Sequence, residues 1–185
     1  MRHHHRGFTL IEMLVVMSMI GIMAAIIAPR LRVSPQQRVR AAAVQLGQDL
    51  DLVRTRALAT RRAARVVFNL TENRYDGYLA AAGVTTFTES EAEQDSLGSM
   101  RRRELPDNVI FGRGEAPDVP GYAGSGSVTL PDAHAEFNSR GLSEPFGTSG
   151  VVYMTHLDDP TFVAAVVVTA GGAMRVLTYD GENWR

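Results

Sequence analysis

The sequence predicts an α+β fold, with a long N-terminal helix packed on an antiparallel β-sheet domain. Three observations carry the prediction. Residues 8–28 form an apolar run with one charged side chain, Glu12. Apolar residues then recur at four-three spacing from Val39 to Ala57. Beyond Arg62 the apolar period shortens to two. Helix first and many short strands afterwards is the order of an α+β layer.

The apolar run is about one bilayer core long as a helix, at ~1.5 Å rise per residue. Arg2 and Arg6 precede it, and Arg30, Arg32, Arg38 and Arg40 follow it. Positive charge on both flanks leaves orientation undecided. A signal peptide would need a shorter apolar core and a small-residue cleavage site, for which Ala24, Ala25 and Ala28 are candidates. A plain signal anchor is the other simple reading. Neither explains Glu12, since a carboxylate in hydrocarbon costs about 2.5–3.5 kcal/mol even on a lenient scale. Glu12 therefore has a partner, or sits shallow enough to snorkel to the interface.

Residues 36–62 read as an amphipathic helix with Val39, Ala43, Leu46, Leu50, Val53 and Ala57 on one stripe. Arg40, Asp51, Arg54, Arg61 and Arg62 lie off it. Ser34 and Pro35 fit a cap and a first helical position. Strands are expected at 65–70 and 75–80, joined by a turn at 71–74. Residues 81–103 carry few bulky apolar side chains, an acidic run and then Arg101, Arg102 and Arg103, and read as a mobile surface loop. Further strands are expected at 108–111, 127–130, 134–137, 151–156, 162–169 and 174–179. The last two flank a glycine turn at 170–173.

Chemistry is thin. The chain has no cysteine, which removes disulfides, thiol catalysis and thiolate metal sites. Its net charge of −1 gives no global case for nucleic acid. Beyond His3, His4 and His5, the only histidines are His134 and His156. The Gly124–Ser127 stretch lacks the strand and helix of a nucleophile elbow, and Gly112-x-Gly114 opens no helix. Asp158 and Asp159 are too few for calcium and read as a turn. No enzyme activity, cofactor or metal site is expected.

The stretch "RGFTLIEMLVVMSMIGIMAAIIAP", Arg6 to Pro29, resembles the class III signal and assembly helix of type IV pilins and type II secretion pseudopilins. The resemblance implies cleavage by a prepilin peptidase between Gly7 and Phe8, then N-methylation of Phe8. It gives Glu12 a filament-assembly role, and Gly21 and Pro29 a role in local helix melting. A new amine on Phe8 lies four residues before Glu12, so Glu12 of one subunit could pair with the amine of a neighbour. Such a pair sets register, because a missing partner is expensive even where the pair adds little net stability. Close helix packing for Gly21 and a plain helix boundary for Pro29 are the simpler alternatives.

The later segments resemble the GspH/FimT branch of minor pseudopilins. They are Asp49-Leu50 with Arg54-Thr55-Arg56-Ala57, then Val66-Val67-Phe68, then Phe137 to Gly141, then Val166 to Gly172. The implied organisation is a leader at 1–7, a transmembrane and assembly helix at 8–29, a stem helix at 30–62 and a periplasmic β-rich domain at 63–185. The implied partners are the peptidase, other major and minor pseudopilins, and inner-membrane lipid. The implied role is to form or cap a pseudopilus of type II secretion. The alternative is a FimT-like minor type IV pilin of a pilus or DNA-uptake machine. Candidate DNA contacts would be Arg101, Arg102, Arg103 and Arg175, although Gly172-Ala173-Met174-Arg175 keeps only one arginine of the branch's Gly-Arg-x-Arg segment.

Overall fold

Leu10–Ile27 form one helix, α1, of 18 residues. Its Leu, Met and Ala residues favour a helix while its β-branched Val and Ile and Gly21 favour it less, and the helix continues through that glycine. The structure is a computed structural model describing residues 8–27, 34–85, 87, 95–96 and 100–185. These fall in two units, Met1–Ser34 and Pro35–Arg185. Gly7, Pro29 and the join between the two expected helices lie outside the described residues.

In the second unit Pro35–Thr60 form α2. The helix opens on its proline, as expected, and stops two residues short of Arg62. Arg61 takes a left-handed φ of 52° there, a turn that ends helices. Every member of the expected stripe, from Val39 to Ala57, is buried. Among the described residues the strands that follow are β1 Ala64–Asn69, β2 Arg74–Leu79, β3 Asp95–Ser96, β4 Arg103–Glu104, β5 Val109–Phe111, β6 His134–Phe137, β7 Ser143–Glu144, β8 Gly150–His156, β9 Asp159–Val168 and β10 Met174–Tyr179.

Among the described residues they make two antiparallel sheets. The first runs β3-β2-β1-β6-β7, with β4 also paired to β2; the second runs β10-β9-β8-β5. The core joins α2 to both. Leu46, Leu50 and Val53 pack with Val66, Phe68 and Phe137 of the first sheet and with Val152, Met154 and Val166 of the second. A fully buried valine or leucine contributes about 1.5–3 kcal/mol of transfer free energy, so this shared core outweighs any single polar contact.

Two expectations need correction. Residues 127–130 form no strand; Val128 makes one bridge to Val152. Within 81–103, the described residues are tied to the sheet. Asp95–Ser96 and Arg103–Glu104 both pair with β2, and Met100 is 1% exposed. Gly77 makes the room: a Cβ there would lie 3.1 Å from that of Met100. One methionine seated over a glycine leaves no periodic trace, which is why the composition of the segment suggested a loop.

β8 is buried at every position. Its inner side chains face α2, while Val151 and Tyr153 join Val163, Ala165 and Val167 in a second cluster on the other face. Ala116 and Val119, from the glycine- and proline-rich loop, cover that face together with Trp184. The Trp184 indole N–H donates to the Pro117 carbonyl at 3.3 Å. A strand covered on both faces reads as a continuous apolar run, as Val163 to Val168 does.

Candidate functional site

At the head of α1, Thr9 is the cap residue and Glu12 the third helical residue. The Glu12 N–H donates to the Thr9 hydroxyl at 3.3 Å, and the Thr9 N–H donates to Glu12 Oε2 at 3.4 Å. This is a capping box, satisfying two backbone donors that a helix start leaves open. The carboxylate also lies at the positive end of the helix dipole. Glu12 Oε1 has no protein partner among the described residues. Behind the box the helix is apolar on every side, and Leu10, Ile11, Leu14, Met17, Ile20, Ile22 and Ile26 are all exposed. A helix of that composition is at home only in lipid or among other helices. Among the described residues no helix is long and apolar enough to cross a membrane. A Cβ on Gly21 would meet nothing within 4 Å among the described residues.

The stem signature holds the globular unit together. Asp49 lies on the buried face of α2, three residues past Leu46 and four before Val53. Its carboxylate accepts the Tyr75 hydroxyl at 2.6 Å and the Gln45 amide at 3.0 Å, and pairs with Arg103 at 3.3 Å. Burial and the bond to Asp49 push the Tyr75 phenol well above its ordinary range. Five residues on, Arg54 Nε donates to the Gly141 carbonyl at 2.9 Å. Gly172, at φ 75°, presses on the same spot: a Cβ there would lie 2.1 Å from the Gly141 oxygen and 3.0 Å from Arg54 Nε. The helix signature, the Phe137–Gly141 segment and the glycine turn thus converge. The spacing of Asp49 within the stripe was the available signal that its carboxylate is buried.

Glu136 is a second buried acid, and no sequence pattern singled it out. Arg65, opposite it across β1 and β6, pairs with it at 2.7 Å. The Phe87 N–H donates to its other oxygen at 3.1 Å, and the Arg65 guanidinium stacks 4.5 Å from the Phe87 ring. His134 sits 3.8 Å from Glu136. Burial, then the nearby Arg65 charge, lowers the His134 pKa from 6.5. Glu136 pulls the other way and loses, because Arg65 already neutralises it.

A pH dependence follows from that lowering. The native state binds fewer protons here than the unfolded chain, so His134 penalises folding below pH 6.5 and costs nothing above it. Stability should fall as pH drops from 7.5 to 5, and His134→Gln should flatten part of that fall. Urea midpoints of the full chain in detergent at both pH values check this. An unchanged pH slope in the variant overturns it.

The four candidate arginines are not gathered at one place. Arg101, Arg102 and Arg103 line a groove of about 420 Å³ with Gln45, Tyr75 and Glu104. Arg175 is exposed on β10 and is not part of that lining. Arg103 is spent on Asp49, while Arg102 donates its backbone N–H, not its guanidinium, to Asp76 at 2.6 Å. The groove therefore keeps the guanidinium groups of Arg101 and Arg102 beside Glu104, a small cluster separate from Arg175 rather than one basic track. Among the described residues no group of three or more His, Asp or Glu could hold a metal ion. Asp158 and Asp159 close the tight turn between β8 and β9, where the Asp158 N–H donates to His156 Nδ1 at 3.2 Å.

Comparison with known proteins settles the character of the N-terminus. Residues 2–28 match the family model described as the prokaryotic N-terminal methylation motif. The chain carries an N-terminal methylation motif. No curated protein matches it. Among solved structures it is similar to the type IV minor pilin FimU of Pseudomonas aeruginosa, at 12% identity and a TM-score of 0.48, over 80% of this chain and 92% of that one. It is also similar to the minor pseudopilin EpsH from the type 2 secretion system of Vibrio cholerae, at 14% identity and a TM-score of 0.47, over 76% of this chain and 96% of that one. A second EpsH crystal structure gives 16% identity and a TM-score of 0.46, over 77% and 95%.

Proposed function

We propose that the methylation-motif chain is a minor pseudopilin, which enters or caps a periplasmic pseudopilus of a type II secretion system. One observation carries the reading: a helix apolar on every side, headed by a single carboxylate, falls within the methylation motif at residues 2–28. A peptidase removes residues 1–7, Phe8 becomes the methylated terminus, and the anchored helix holds the globular unit on the periplasmic side of the inner membrane. The work is mechanical. The polar clusters of the second unit are consumed in holding the fold, which supports a structural subunit over a catalyst. A minor type IV pilin would share every one of these features, and the genes beside this one distinguish the two machines.

Intact-mass measurement of the mature protein tests the reading. A chain beginning at Phe8 and carrying one added methyl is expected. A mature chain that keeps residues 1–7 unmodified overturns it.

A further inference from the structure

β10 is an edge strand, bonded on one side to β9. In an antiparallel ladder alternate residues point both backbone groups to the same side. Thr178 shows which set points away from β9: its N–H donates to the Arg185 carbonyl at 2.8 Å, and its carbonyl accepts the Arg185 N–H at 3.0 Å. Two and four residues earlier, Val176 and Met174 therefore direct an N–H and a carbonyl each to the same outer edge. No backbone bond occupies those groups among the described residues. Arg175 and Val176 are both exposed, and Met174 is half-buried.

An edge of this kind accepts one class of partner, an extended backbone, through main-chain bonds. A second copy of this chain fits poorly. Antiparallel self-pairing that uses both open residues sets Val176 opposite the partner's Met174 and so Arg175 opposite its own equivalent. That position is the close, non-hydrogen-bonded pair, where like charges repel. A register centred on Val176 needs Thr178, which Arg185 already occupies, and one centred on Met174 needs Gly172, whose N–H is already given to the Thr169 carbonyl.

We infer that the β10 edge is a docking site for an extended segment of a different protein, which adds antiparallel to Met174 and Val176 and sets an acidic side chain opposite Arg175. The inference stands apart from the pseudopilin reading, since it needs the globular unit alone to be folded and exposed.

The test uses the full chain in detergent micelles and the peptide acetyl-Thr-Val-Glu-Val-Thr-amide, with a lysine version as control. At about ten times its Kd the glutamate peptide should slow hydrogen exchange at the Val176 and Met174 amides about tenfold, by mass action. The Arg175 amide, already bonded to β9, should not change. The lysine peptide should bind about 2–5-fold more weakly, the range of a cross-strand charge pair. Arg175→Glu, at an exposed position, should reverse that order while leaving the β8 and β9 amides protected. Val176→Pro should abolish protection at Met174. No protection with either peptide at millimolar concentration overturns the inference. So does equal binding of the two peptides, or binding that Arg175→Glu leaves unreversed.

Discussion

Gly172→Ala is expected to destabilise the globular unit by about 3 kcal/mol or more, a large loss for one methyl group. Gly172 sits at φ 75°, where a side chain costs about 1–2 kcal/mol. The added carbon would lie 2.1 Å from the Gly141 carbonyl oxygen, a backbone atom that cannot swing aside. Relief requires the β9–β10 turn to lift or the Phe137–Gly141 segment to retreat. Either movement breaks the Arg54–Gly141 bond, and a bond to a charged group is worth about 1.5–3 kcal/mol. Gly171→Ala is the control one residue away. Gly171 has no positive φ, and a Cβ there would meet only the Thr169 hydroxyl at 4.0 Å. Urea midpoints should put that variant within about 0.5 kcal/mol of the parent, as for other surface changes. Equal midpoints for the two variants would sink the idea that the three segments lock at this spot.

The elements that could be read from the sequence are those whose order is local. The four-three stripe fixed the buried face of α2, and Pro35 its start. His134–Phe137 and Met174–Tyr179 fall where alternation and turn residues put them. What could not be read depends on partners distant in the chain. Valine-rich β8 and β9 do not reveal that a loop at Ala116 and Val119 covers their second face. Nothing around Val128 shows that its neighbour is a single residue of β8. The division into two sheets, both packed on α2, is a matter of tertiary contact with no periodic signature. The resemblance marked Asp49 and Arg54 without saying what they do. Their partners, Tyr75, Arg103 and Gly141, lie 26, 54 and 87 residues further along the chain. Glu12 is the reverse case: its partner in the capping box, Thr9, lies three residues away, so the pattern Thr9-x-x-Glu12 is local.

A double use makes Glu12 the sharpest test of function. The carboxylate has a local use, closing the start of α1, and a proposed long-range one, pairing with the terminal amine of a neighbouring subunit. Glutamine separates them, because it completes a capping box as glutamate does but carries no charge. If capping were all, Glu12→Gln would behave as the parent does. On the assembly reading, Glu12→Gln and Glu12→Leu should fail alike. An amine left unpaired in an apolar filament core costs about 3–5 kcal/mol, so incorporation should drop on the order of 100-fold or more. Both variants should still insert and still lose residues 1–7, since the carboxylate hinders insertion rather than helping it. Gly7→Ala should fail earlier, with no chain beginning at Phe8, because a methyl group occupies the place where the peptidase must fit a residue with no side chain. Mass spectrometry reports processing, and crosslinking to neighbouring subunits reports incorporation. Normal crosslinking by Glu12→Gln would reduce Glu12 to a helix cap and remove the charge pair from the account of assembly.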